Sequence, residues 1–130
     1  MISIPYYALL ETVFAEQGVE LYRAFSTSDG KKVLLKIDQC GDTGMAAARC
    51  SHELAVAGNL DLPCICRPLK LEYCGDTPVL VMEDRGGVLL QQYMRGRSLA
   101  IDQFLLIARR LTAATGALHR HNIAHKNVNP

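Results

Sequence analysis

The stretch Val33-Leu34-Leu35-Lys36-Ile37 places a single cation inside a run of aliphatic residues. Such a run predicts a strand, and in a buried strand an ammonium group is costly unless it reaches solvent or a carboxylate. Glu53 is the only acidic residue between Gly44 and Asp61, and it lies in an alanine-rich segment that is predicted to be a helix. Either Lys36 pairs with Glu53 and docks that helix, or Lys36 ends a strand face and Glu53 is a solvated helix residue.

Around this stretch the sequence pattern predicts five strands and three helices. Apolar-rich runs bounded by turn residues predict strands, and apolar residues at helical spacing predict helices. The predicted strands are 6–14, 19–25, 31–38, 65–73 and 78–83, and the predicted helices are 45–60, 89–94 and 101–119. This order suggests an α+β fold, in which an antiparallel five-stranded sheet packs one helix on one face.

Composition and charge exclude several classes of function. The 130 residues carry 14 Lys plus Arg against 13 Asp plus Glu, and the basic residues lack the interleaved aromatics of a stacking surface, so we expect no nucleic-acid partner. No apolar run approaches the roughly 20 residues of a membrane span, and the first residues lack the pattern of a secretory signal. Five cysteines without a framework spacing fit reduced thiols, so we expect a cytoplasmic protein without a metal site.

Several segments occur in a collinear order that is typical of one large family. They are residues 33–36, Glu53, Pro63, residues 80–84 and the closing His125-Lys126-Asn127-Val128-Asn129-Pro130. On these residues the chain resembles the protein kinase superfamily over nearly its whole length, as a serine/threonine kinase-like domain. It is most similar to the kinase-like domain that begins large bacterial signalling proteins carrying an ATPase module and a histidine kinase. The resemblance implies a small lobe over 1–84 and, over 85–130, the hinge and the start of the large lobe, ending in the catalytic loop.

The resemblance also implies roles in binding ATP. Lys36 falls where the third-strand lysine of the family holds the α and β phosphates, and Glu53 falls where a helix glutamate anchors that lysine. The remaining positions surround the base: Met82 at the gatekeeper position, Glu83, Asp84 and Arg85 in the hinge, and Val13, Leu21 and Leu34 covering the base.

The chain departs from the family pattern at both ends of this site. Phe14, Glu16 and Val19 stand where three glycines usually let backbone amides approach phosphate, which predicts a poor phosphate cradle. In the segment His125-Lys126-Asn127, the neutral amide of Asn127 replaces the aspartate that acts as base. The sequence stops at Pro130, before the magnesium ligands of the family. We therefore expect weak ATP binding, no Mg²⁺ held by this chain alone and no phosphoryl transfer; the alternative is a non-catalytic, pseudokinase-type protein interaction module.

The predicted last helix carries an apolar stripe that includes Phe104, Leu105, Leu111 and Leu118. In a complete kinase the corresponding helix lies at the centre of the large lobe, so in this chain the stripe needs another cover. We expect a protein partner or self-association through this face.

Overall fold

The computed structural model describes residues 3–125. In chain order the elements are β1 (Tyr7–Glu16), β2 (Val19–Ser26), β3 (Lys32–Asp38), α1 (Thr43–Ala57), β4 (Pro68–Cys74), β5 (Thr77–Glu83), α2 (Leu90–Met94) and α3 (Ile101–Arg120). The described residues form two compact units: residues 3–61 and 66–86 contain the strands and α1, whereas residues 62–65 and 87–125 contain α2 and α3. The predicted α+β class is confirmed.

The strands of the first unit form one antiparallel sheet in the order β1-β2-β3-β5-β4. Residues that lie directly opposite each other on neighbouring strands point to the same face of a sheet. One face, which we call the lysine face, therefore carries Leu21 and Arg23 on β2, Leu34 and Lys36 on β3, and Leu80 and Met82 on β5.

The hydrophobic core lies on the face opposite the lysine face. Its buried members are Ile4, Ala24, Val33, Leu35, Ile37, Val79 and Val81. Leu34 and Leu80 are also buried, although they lie on the lysine face. Because β3 and β5 are covered on both faces, their sequences read as nearly unbroken aliphatic runs.

Helix α1 begins after Asp42, whose side chain accepts a hydrogen bond from the Met45 N–H at 2.8 Å. This N-cap satisfies one of the free amides of the first turn, so the helix begins earlier in the chain than predicted. The helix also ends earlier than predicted, at the C-cap Gly58, whose N–H donates to the Leu54 carbonyl. Ala46 and Cys50 are its buried residues, and α1 packs against β4 and β5.

The turn between β1 and β2 consists of only Gln17 and Gly18. Glu16 pairs with Val19, and the two turn residues have φ values of 53° and 78°. Positive φ at both positions is typical of the type I′ hairpin turn, which matches the twist of the flanking strands. At Gly18 a Cβ would lie 3.0 Å from the Cys40 sulfur, so this position has little room for a side chain.

The second unit contains α2 and α3. The apolar stripe predicted on the last helix lies on α3, where Phe104 is 54% exposed and Leu105 is 57% exposed. α3 has no buried residue along its length. Among the residues described, none of the helices combines the length and the apolar character that crossing a membrane requires.

Candidate functional site

The candidate site is built around an ion pair between β3 and α1. The Nζ atom of Lys36 donates to Oε2 of Glu53 at 2.6 Å. Of the two alternatives that the sequence left open, this contact shows the one in which Lys36 pairs with Glu53. Both side chains remain partly exposed, at 28% and 34%, so the pair is not fully buried.

The position of Glu53 follows from the way α1 packs. Ala46, Cys50 and Glu53 recur at the i, i+4 and i+7 spacing of one helix face. Cys50 is buried, and this burial raises the pKa of its thiol, which therefore behaves as a small neutral hydrophobe. The buried turns of the helix hold Glu53 at a fixed distance from β3.

Apolar side chains surround Lys36 on the lysine face. Leu21 and Leu80 lie directly opposite it, and Leu34 and Met82 form the next row. The structure thus brings four of the predicted site residues together: Leu21, Leu34, Lys36 and Met82. The predicted site residue Val13 is half-buried. It lies where the register of β1 shifts, so strand pairing does not place it beside the other four residues.

The side chains of the predicted hinge, Glu83, Asp84 and Arg85, form ion pairs. The Glu83 carboxylate accepts hydrogen bonds from Arg67 at 2.8 Å and from Arg85 at 2.9 Å. Asp84 accepts one from Nε of Arg23 at 2.7 Å. Sequence reasoning missed Arg23 and Arg67. For Arg23 a signal existed, because its alternation with Leu21 on β2 places it on the lysine face.

At the positions that the resemblance aligns with glycines, the structure has ordinary strand residues. Phe14 pairs with Leu21, and Glu16 pairs with Val19, so strand pairing continues to the turn. Side chains at these positions hinder the close backbone approach to phosphate that glycine allows. The Glu16 carboxylate also adds a negative charge near the tip of the hairpin.

The tip of the β1–β2 hairpin is fastened to the loop that leads from β3 into α1. The Gln39 N–H donates to the Gly18 carbonyl at 2.7 Å. The Cys40 thiol donates to the Gln17 carbonyl at 2.8 Å. With two of its carbonyls held in this way, the tip is fastened to the loop that follows β3.

Arg49 on α1 holds this loop in place. Its Nε and Nη2 atoms donate to the two carboxylate oxygens of Asp38 at 2.6 and 2.9 Å, and Nη2 also donates to the Cys40 carbonyl. The hydrogen bonds from Arg49 lower the pKa of the Asp38 carboxyl, although burial opposes them. Together with the Lys36–Glu53 pair, this contact joins α1 to β3 at two points.

Asp38 is expected to make the fold sensitive to acid. Its folded-state pKa lies below the ordinary value of 3.8, so its contribution to stability is fully present above that value. The contribution is lost as the pH falls through the lowered pKa. We expect Asp38→Asn to be less stable than the wild type at neutral pH but to lose less of its free energy of unfolding below about pH 4. Urea unfolding over a pH series measures this, and parallel acid losses in the two proteins would contradict it.

The catalytic-loop positions are only partly described. His125 is an exposed residue outside any helix or strand. Lys126 and Asn127 lie outside the described residues, so their predicted roles rest on the sequence alone. Within residues 3–125, no group of three or more His, Cys, Asp or Glu side chains is placed to hold a metal ion.

Solved structures of one kinase domain are similar to this chain. Two crystal structures of the PknI kinase domain of Mycobacterium tuberculosis superpose with TM-scores of 0.74 and 0.73, each at 20% identity and over 99% of this chain. A cysteine-to-alanine mutant of that domain gives a TM-score of 0.75 at 21% identity over 99% of this chain. The sequence matches no protein-family model and no curated protein.

This likeness establishes the fold of the chain. It is protein-kinase-like and corresponds to the kinase small lobe followed by the first helices of the large lobe. The chain spans 53–54% of the length of the matched kinase domains. At 20–21% identity the likeness defines the fold of this chain and does not transfer the activity of the matched domains to it.

Proposed function

We propose that this chain is the nucleotide-facing part of a serine/threonine kinase-like domain in a bacterial signalling protein, and that it binds ATP without transferring phosphate by itself. The observation that carries this proposal is the 2.6 Å contact between Lys36 and Glu53. A kinase lysine must be held by such a carboxylate to meet the α and β phosphates. The same pair links the strand and helix positions that the resemblance assigns.

The surroundings of Lys36 supply a second argument. Leu21, Leu34 and Met82 share its face of the sheet, and an apolar surface beside a cation suits a planar base attached to phosphates. The backbone of residues 83–85, at the end of β5, would meet the polar edge of the base. The five free cysteines fit a reducing cytoplasm, where ATP is available.

Phosphoryl transfer is a separate matter from binding. The resemblance places Asn127 where kinases carry the aspartate that accepts the proton of the substrate hydroxyl. A neutral amide cannot act as a base, so transfer by this chain would be severely slowed. The proposed role is therefore to hold nucleotide rather than to turn it over.

A titration of the wild-type chain with ATP tests the proposal directly. Because ATP would bind only the folded state, millimolar ATP should raise the unfolding temperature, and a concentration of 100 times Kd corresponds to about 2.7 kcal/mol of stabilisation. The measurement is a thermal unfolding series with and without Mg²⁺. An unfolding temperature that stays constant up to millimolar ATP would contradict nucleotide binding.

A pseudokinase-type interaction module is the second candidate, and the fixed hairpin tip favours it. The hydrogen bonds at Gly18 and Cys40 hold the tip in place, which opposes its closing over phosphates. The negative charge of Glu16 would also repel the phosphates. In this role the exposed apolar residues of α3, Phe104 and Leu105 among them, would meet a protein partner or a second copy of the chain. The ATP titration separates the two candidates, since only the first requires stabilisation.

A further inference from the structure

Arg23 spans the lysine face from one strand to the end of another. It lies on β2 directly opposite Leu34, and its Nε donates to Oδ2 of Asp84 at 2.7 Å. On the other side its Nη1 donates to Glu11 on β1. The guanidinium group therefore ties β1 to the segment that follows β5, at the end of the face where the resemblance places the hinge.

Asp84 uses both carboxylate oxygens in this arrangement. While Oδ2 accepts from Arg23, Oδ1 accepts from the Gly86 N–H at 2.8 Å. Gly86 has a φ of 72°, a left-handed conformation that favours glycine. Asp84 thus holds the backbone two residues further on, directly beyond β5, and its own carboxylate is held by Arg23.

The burial of the Arg23–Asp84 ion pair favours a fixed geometry. The Asp84 side chain is only 2% exposed, and a carboxylate buried to this extent needs its partner. Burial lowers the pKa of Arg23, but the hydrogen bonds to Asp84 and Glu11 outweigh it and raise the pKa overall. Because an arginine guanidinium is not deprotonated in proteins under ordinary conditions, Arg23 is charged at neutral pH.

We propose that Arg23 is a positioning residue for the base end of the nucleotide site: by holding Asp84 it fixes the backbone of residues 83–86 and thereby the affinity for the nucleobase. This inference rests on the proposed function, because it deepens the same site. Arg23 should affect only the affinity for the base, because Lys36 and Glu53 build the phosphate end of the site.

The test compares four variants that differ in their effects on the contact between Arg23 and Asp84. Arg23→Met removes the charge and the donors. Asp84→Asn keeps an oxygen for the Gly86 amide but turns an amide donor toward Arg23. Glu11→Gln is the matched control, because it alters the other partner of Arg23, whose side chain is 54% exposed and lies on β1. Arg23→Lys keeps the charge and should restore part of the effect.

Three measurements are made on each protein: hydrogen exchange at the Gly86 amide, affinity for adenosine and affinity for inorganic tripolyphosphate. For Arg23→Met and Asp84→Asn we expect about tenfold faster exchange and about tenfold weaker adenosine binding, the size expected from losing one charge-assisted hydrogen bond. Tripolyphosphate affinity should not change. Glu11→Gln should resemble the wild type in all three measurements.

The outcomes separate the two proposals. If the wild type binds adenosine and the variants bind it equally well, or lose adenosine and tripolyphosphate in equal measure, the positioning role is overturned and the proposed function stands. A lowered unfolding temperature with unchanged Gly86 exchange also overturns it, because Arg23 would then be a general stabiliser. If the wild type binds neither adenosine nor ATP, the proposed function fails, and the inferred effect on base affinity fails with it.

Discussion

Methionine in place of Lys36 is expected to abolish most of the stabilisation by ATP while leaving the fold nearly unchanged. Hydrogen bonds to charged groups are strong, so loss of the ammonium should weaken ATP binding by roughly tenfold to a hundredfold. The Lys36–Glu53 pair is partly exposed, at 28% and 34%, so its loss should cost less than about 1 kcal/mol of unfolding free energy. Titration calorimetry with ATP and urea unfolding measure the two effects.

Lys32→Met is the control for this experiment. The substitution removes the same charge from an exposed position at the start of β3, four residues before Lys36, where Lys32 lies opposite Phe25. ATP affinity should therefore stay near the wild-type value. Glu53→Gln should give an intermediate loss, since Lys36 keeps its charge but loses its anchor. Equal ATP affinity in Lys36→Met and the wild type would contradict the role assigned to Lys36.

The strands of the sheet could be predicted from the sequence because their signals are local, whereas the central ion pair was one of two alternatives. The aliphatic run around Lys36 identifies a buried strand, whereas the isolation of Glu53 makes it only a candidate partner, and the resemblance favours the pairing. The strand β4 begins at Pro68, later than predicted, because Ile65 is held in a turn by a hydrogen bond from its N–H to the Leu62 carbonyl at 3.2 Å. An apolar run alone does not reveal such a turn.

The polar contacts at the two ends of the site could not be predicted in the same way. Arg23 and Asp84 are separated by 61 residues, and their contact depends on the register of three strands. The bond from the Cys40 thiol to the Gln17 carbonyl depends on the conformation of a loop that carries no periodic pattern. In contrast, Asp42 at the start of α1 is an N-cap signal that was present in the sequence.

Alanine in place of Leu35 is expected to destabilise the fold by about 2–5 kcal/mol, the range for large-to-small changes in a well-packed core. Leu35 is completely buried and lies between Tyr22 and Val81 on the neighbouring strands. Its removal leaves a cavity at the centre of the sheet, where neighbouring strands limit relaxation. Urea or guanidinium unfolding of the two proteins at the same pH measures the difference.

Leu10→Ala is the matched control, because it makes the same chemical change at a residue that is 49% exposed on the edge strand β1. It should cost less than about 1 kcal/mol. Leu35 points away from the lysine face, so folded Leu35→Ala should bind ATP as the wild type does, the reverse of the profile expected for Lys36→Met. Equal losses of stability in Leu35→Ala and Leu10→Ala would contradict the placement of the core on the face opposite Lys36.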